Sequence, residues 1–195
     1  MLKNSTVSST VGLGGLAAFW LLQNRSGQFA AFAVDTRLRY AQAAMPLDVI
    51  SQDPAAVSGW LRARLPFHLE LPDYPVEAGQ RKRYHLAGAR LLRYVNDDVG
   101  YLACEMNGKP ISLLLASTAL AAPSGGDVYH SGRLVFHFSN HKGLKIICWT
   151  DGGLHYSLVS EFAARGTESC VICHGTAAER RISEELAPAA PLHRE

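Results

Sequence analysis

Apolar positions recur at helical spacing in the first third of the chain and at strand spacing after Pro66. Phe29, Phe32, Ala33, Leu38 and Ala41 fall on one side of a helix over 29–44. That helix should stop before Pro46, because the residue ahead of a proline disfavours the helical region. Asp53 then offers an N-cap, and Pro54 suits the first helical position, where its missing N–H costs nothing. The predicted helix runs to about Arg64, with Val57, Trp60 and Leu61 as its apolar stripe and Trp60 as a core anchor. Beyond Pro66, Phe67, Leu69 and Leu71 alternate with His68 and Glu70, which predicts a half-buried strand. Further strands are expected over 84–95, 100–106, 110–117, 134–139, 144–149 and 154–162. Between them lie turns at Asn96-Asp97-Asp98, Asn107-Gly108, Asn140 to Gly143 and Asp151-Gly152-Gly153, and a loop over 119–127. The expected class is α+β, an antiparallel sheet of about six or seven strands with one or two helices packed on it. A short helical turn is expected at Ile182 to Leu186, followed by a loose Ala/Pro-rich tail.

The N-terminus reads differently. Val11 to Leu22 is apolar, and from Ser5 to Leu22 about eighteen residues pass without a charge, near the lower limit for a bilayer span. Lys3 and Arg25 flank it, and Trp20 sits near one end, where an interfacial indole is favourable. A single membrane helix with the bulk of the chain outside the cytoplasm is the preferred reading. A cleaved signal peptide with Ala31-Phe32-Ala33 at the cleavage site also fits, though Gln23 to Gln28 separates that site from the apolar block. A buried helix is the third reading, since Gly12, Gly14 and Gly15 weaken the span.

Composition narrows the partners. The chain has 195 residues, 48% hydrophobic and 18% charged, so it can bury a normal core. Its net charge of +2 and the lone basic run Arg81-Lys82-Arg83, a solvated loop, give no reason to expect nucleic acid. No internal repeat, phosphate loop or Gly-x-Ser-x-Gly elbow is present, and Asp97-Asp98 is turn chemistry. No small-molecule substrate is indicated and the chain is not expected to be an enzyme.

The chemistry concentrates in Cys170-Val171-Ile172-Cys173-His174-Gly175. Two cysteines three apart, followed at once by a histidine, resemble the haem-attachment sites of c-type cytochromes. There the thiols add to the porphyrin vinyls and the histidine ligates iron. With 4 cysteines and 8 histidines in the whole chain, chance assembly of the pattern is improbable. The expected cofactor is therefore haem c, with Cys170 and Cys173 as thioether anchors and His174 as proximal ligand. The same spacing also fits a local disulfide, a thioredoxin-like pair or half a metal site, although nothing completes a four-ligand zinc site. Attachment of this kind occurs outside the cytoplasm, which agrees with the anchor. The second axial ligand is open. His137, His155 and Met106 are the named candidates, with His137 and His155 favoured as lying on strands that can face the C-terminal segment. His68, His85, His130, His141 and His193 are also available. Cys104 and Cys148 fall on predicted strands and are either a cross-strand disulfide or two buried thiols.

A family resemblance covers roughly residues 30–162. Asp48-Val49-Ile50-Ser51-Gln52-Asp53-Pro54, Val57, Trp60 and Leu65-Pro66-Phe67 resemble the extracytoplasmic part of bacterial transmembrane anti-sigma factors. His85-Leu86-Ala87-Gly88-Ala89-Arg90-Leu91, Gly143, Trp149 to Tyr156, Val159-Ser160 and Ala33-Val34-Asp35-Thr36-Arg37 extend the likeness. The resemblance implies an anchored outer domain that makes protein contacts. No sigma-binding part is expected, since about ten residues precede the apolar block and none is Cys or His. The implied organisation is an anchor or signal segment (1–28), an anti-sigma-like α+β domain (29–162) and a C-terminal extension bearing the Cys-x-x-Cys-His (163–195). The expected protein is a single-pass inner-membrane protein with its bulk in the periplasm. It would carry one haem for electron transfer or redox sensing and meet a redox partner or regulatory complex. The alternative is a non-haem regulatory or assembly module using Cys170 and Cys173 as a disulfide or thiol switch.

Overall fold

The computed structural model describes residues 12–71, 84–106 and 108–161, with side chains from Gly27 onward. Helix α1 (Gly12–Ala41) is followed by β1 (Val49–Ile50), α2 (Pro54–Arg62), β2 (Tyr84–Tyr94), β3 (Asp97–Met106) and β4 (Lys109–Ser117). Then come β5 (Asp127–Ser131), β6 (Leu134–His141), β7 (Leu144–Asp151) and β8 (Leu154–Ser160). The class is α+β: one antiparallel sheet of 8 strands in the order β1-β2-β3-β4-β8-β7-β6-β5. Two four-stranded meanders meet where β4 pairs with β8, Ser112 opposite Val159 and Leu115 opposite Tyr156.

Alternation in the strands sends side chains to two opposite cores. One face carries Leu102, Cys104, Met106, Leu113, Phe136, Phe138, Trp149 and Leu158, and α2 seats Val57 and Leu61 there. The other carries Val99, Tyr101, Ala103, Leu114, Ile146, Cys148 and Val159 against Phe29, Ala33 and Val34 of α1. The sheet therefore has a helix on each side. Trp149 stacks on Tyr156 with ring centroids 4.9 Å apart.

The N-cap reading holds: the Asp53 carboxylate accepts from the Ala55 amide at 2.9 Å and Pro54 opens α2. The strand expected at 67–71 does not form. Phe67 and Leu71 pack against the α2-side core and Leu69 is buried in it, but the segment joins no ladder. The Leu71 amide donates instead to Ser58 Oγ at 2.9 Å. Two strands went unexpected: β1, only 2 residues long, and β5, a mostly exposed edge strand. The turn after β2 lies one residue early, at Val95-Asn96, and Asp97 is already paired with Tyr94.

The first helix differs from the expectation of a separate anchor and connecting helix. α1 is one helix through the polar stretch Gln23 to Gln28 and ends at Ala41, ahead of Pro46. No helix among the described residues is long and apolar enough to cross a membrane. The first part of the apolar run, Ser5 to Val11, lies outside the described residues, as do Arg81-Lys82-Arg83, Asn107 and everything from Phe162 on.

Candidate functional site

Cys170, Cys173, His174 and His193 lie outside the described residues, so the expected haem anchors are not placed. What the domain does place is a group of imidazoles under α1. Strand pairing sets His137 of β6 opposite Cys148 of β7, and Cys148 opposite Ser157 of β8. His155 lies two residues from Ser157 and so on the same face. Small residues on α1 (Gly27, Ala30, Ala31) and on the loop after β4 (Ala122, Pro123, Ser124) leave a cavity of about 240 Å³. His137, His141, Cys148 and His155 line it.

His155 is 2% exposed, with its ring edge-on to Phe29 at 5.2 Å between centroids. Its Nε2 is 2.8 Å from Ser157 Oγ, which is itself 3.2 Å from Cys148 Sγ. Nδ1 is buried with no hydrogen-bond partner among the described residues. Burial first, and the neighbouring His137 second, push its pKa down to about 4, so it is neutral at pH 7. Burial raises the Cys148 thiol to about 11 against the opposing effect of the Ser157 hydrogen bond. The group is thus an uncharged relay of thiol, hydroxyl and imidazole.

His137 is half-buried, and its Nδ1 lies 3.0 Å from the Gly125 carbonyl oxygen. A carbonyl only accepts, so Nδ1 carries a proton. Metal-ligating histidines show this same pattern, the other ring nitrogen donating to a carbonyl or carboxylate.

The remaining candidates separate clearly. Met106 is fully buried in the α2-side core, on the opposite face from His137 and His155, and is not a free ligand. His68 approaches Glu70 at 3.4 Å in an exposed pair, away from the cavity. His85 and His130 are exposed, and neither lines the cavity. Cys104 and Cys148 are free thiols, not a disulfide. They sit in opposite cores, on strands separated by β4 and β8. That separation is far beyond the roughly 7 Å Cα limit for a bridge. Burial drives the Cys104 thiol up to about 12, so neither thiol is reactive at neutral pH.

Among the described residues no three His, Cys, Asp or Glu side chains form a metal-holding group. The cavity is also below the roughly 300 Å³ at which pockets begin to enclose drug-sized ligands. A tetrapyrrole does not fit inside it. A second cavity of about 320 Å³, near the β2–β3 turn, is lined by Asp97, Asp98, Phe67 and Tyr94. Asp98 there is held by Arg93 at 2.8 Å.

Sequence reasoning reached His137 and His155 but missed Cys148, Ser157 and Gly125 as their neighbours. Strand alternation gives Cys148 and Ser157 a facing direction, but the pairing that brings them together appears only in the register. No protein-family model matches the chain, and no curated protein or solved structure does.

Proposed function

We propose that this chain is a membrane-anchored, extracytoplasmic redox module. In this reading its α+β domain resembles the outer domain of transmembrane anti-sigma factors, and its C-terminal extension carries one covalent c-type haem. The observation that carries the proposal is the unbroken Cys170-Val171-Ile172-Cys173-His174 spacing. Each thiol adds its S–H across one vinyl group, forming a C–S and a C–H bond, so no oxidant or leaving group is needed. His174 would be the residue that ligates the iron. When bound, the haem supplies a one-electron iron couple for electron transfer or redox sensing. Ser5 to Leu22 would provide the anchor, and a redox partner or regulatory complex the contact.

The domain supports this division of labour. Its own two cysteines are buried, separated and protonated, so the reactive thiols are those of the extension. The extension leaves the sheet at Glu161, whose carboxylate takes Arg37 Nη2 at 2.7 Å. Arg37 is fully buried on α1, so the anchor-side helix and the root of the extension are tied together. That tie also favours the second reading, a thiol or disulfide switch at Cys170 and Cys173 that signals through α1.

A visible spectrum in alkaline pyridine, on reduced protein from a host that matures c-type cytochromes, tests the proposal. A haem band that survives acid–acetone extraction, and shifts or vanishes in Cys173→Ala, is expected. Complete loss of colour on extraction of the wild type would overturn it.

A further inference from the structure

We propose that the cavity beside the β2–β3 turn binds a small organic ammonium ion, held by aromatic walls and the Asp97 carboxylate. The site is independent of the haem reading and lies within the described residues. Its walls come from four segments: Gln28 of α1, Pro66 and Phe67 after α2, the β2–β3 turn, and the loop after β4 at Leu120. Phe67 packs against the α2-side core and Tyr94 against the α1-side core, so the cavity sits at the end of the sheet, where the two layers meet. At about 320 Å³ it reaches the roughly 300 Å³ at which pockets begin to enclose a small ligand.

The lining selects the ligand. It holds the carboxylates of Asp97 and Asp98 and no Lys, Arg or His, so it favours a cation. Arg93 already takes Asp98 at 2.8 Å, whereas Asp97 has no ion pair among the described residues. The register places Tyr94 directly opposite Asp97 across the hairpin. Opposed residues share one face of a ladder with Cβ atoms roughly 5 Å apart, which sets the Asp97 carboxylate beside the Tyr94 ring. Phe29, edge-on at 5.0 Å between centroids, and Phe32, at 4.9 Å, hold that ring in place. Phe67 supplies a second aromatic wall, and Pro66 and Leu120 add apolar surface. A bare metal ion would use only the carboxylates, and no three acidic, His or Cys side chains converge among the described residues. An ammonium with an apolar body uses the whole lining: its charge meets Asp97 and the aromatic faces, and its carbon skeleton meets Pro66 and Leu120.

The test uses the full-length protein, with benzylammonium as the probe and benzyl alcohol as its uncharged counterpart. Shifts of backbone amide and aromatic-ring NMR signals locate the binding and give its affinity. Benzylammonium should bind with a Kd of about 1 mM, within the range open to a ligand of so few heavy atoms. It should bind about tenfold more tightly than the alcohol, because only the cation gains the carboxylate and the aromatic faces. The signals of Phe67, Asn96 and Leu120 should move. Asp97→Asn should weaken the ammonium about threefold and leave the alcohol unchanged. Phe67→Leu should also weaken the ammonium more than the alcohol. Equal affinity for the two probes in the wild type, undiminished binding in Asp97→Asn, or shifts confined to another surface overturns the proposal. A capped lysine peptide that binds more tightly than benzylammonium also overturns it and assigns the cavity to a protein partner. None of these readouts depends on covalent haem, so the proposal and the redox reading fail separately.

Discussion

Single residues of the segments around β1 and β2 do structural work. Gly88 sits at a bulge in β2 with φ +145, where an added Cβ would lie 2.0 Å from the Val49 carbonyl oxygen of β1. Gly88→Ala should detach β1 and cost at least about 2 kcal/mol, seen as a lower urea midpoint. Asp48 accepts from the Leu91 amide at 2.9 Å, and the Arg64 guanidinium lies 4.4 Å over the Trp60 ring. Val95 runs the other way: a β-branched residue with φ 56, 72% exposed, in the β2–β3 turn. Val95→Asn relieves that conformation and should raise stability by about 0.5–1 kcal/mol without changing the denaturant slope. His155 has its own signature. Its folded pKa of about 4 is below the ordinary imidazole value of 6.5, so the unfolded chain binds the proton first as pH falls. The stability it permits is whole above pH 6.5 and is lost progressively down to about pH 4, to a limit of about 3 kcal/mol. Unfolding at pH 7 and pH 4.5 should show a larger drop for wild type than for His155→Gln. Equal drops would mean that His155 is not buried neutral.

At the scale of elements, legibility followed the strength of the local signal. α2 was readable from Asp53 and Pro54 because capping is a contact between neighbours in sequence. The four hairpins from β2 to β4 and β6 to β8 were readable because short turn pairs such as Lys142-Gly143 and Gly152-Gly153 dictate antiparallel neighbours. β1 and β5 were not: one is 2 residues with Ile50 83% exposed, and the other alternates without a buried face. The false strand at 67–71 shows that period-two burial needs a free sheet edge before it becomes a ladder. The imidazole group was half legible. His137 and His155 stood out as residue types, but the pairing of β4 with β8, which orders the second meander under α1, is a long-range choice that local pattern does not encode. The tie between α1 and β8 is also long-range. Arg37 Nε donates to the Pro110 carbonyl at 3.0 Å, while Nη1 is buried without a partner among the described residues. Glu161→Ala should leave that guanidinium short of its counter-ion and destabilise the domain by about 1–3 kcal/mol, less than a wholly buried pair because Glu161 is half exposed. Thermal unfolding of the two forms checks this.

At the scale of the whole molecule, the proposed function divides the chain into a scaffold and a redox-active extension. The sheet contributes two inert thiols and a row of histidines under α1, and the extension contributes the Cys-x-x-Cys-His. The most direct test is the intact mass of the purified protein under denaturing conditions, with thiols counted by alkylation in the same experiment. Thioether attachment loses no atoms, so the account requires the chain mass plus one whole haem, with two alkylatable cysteines, Cys104 and Cys148. A mass equal to the bare chain with four alkylatable cysteines, or one lighter by two hydrogens with two, would contradict it and leave a thiol pair or a disulfide at Cys170 and Cys173.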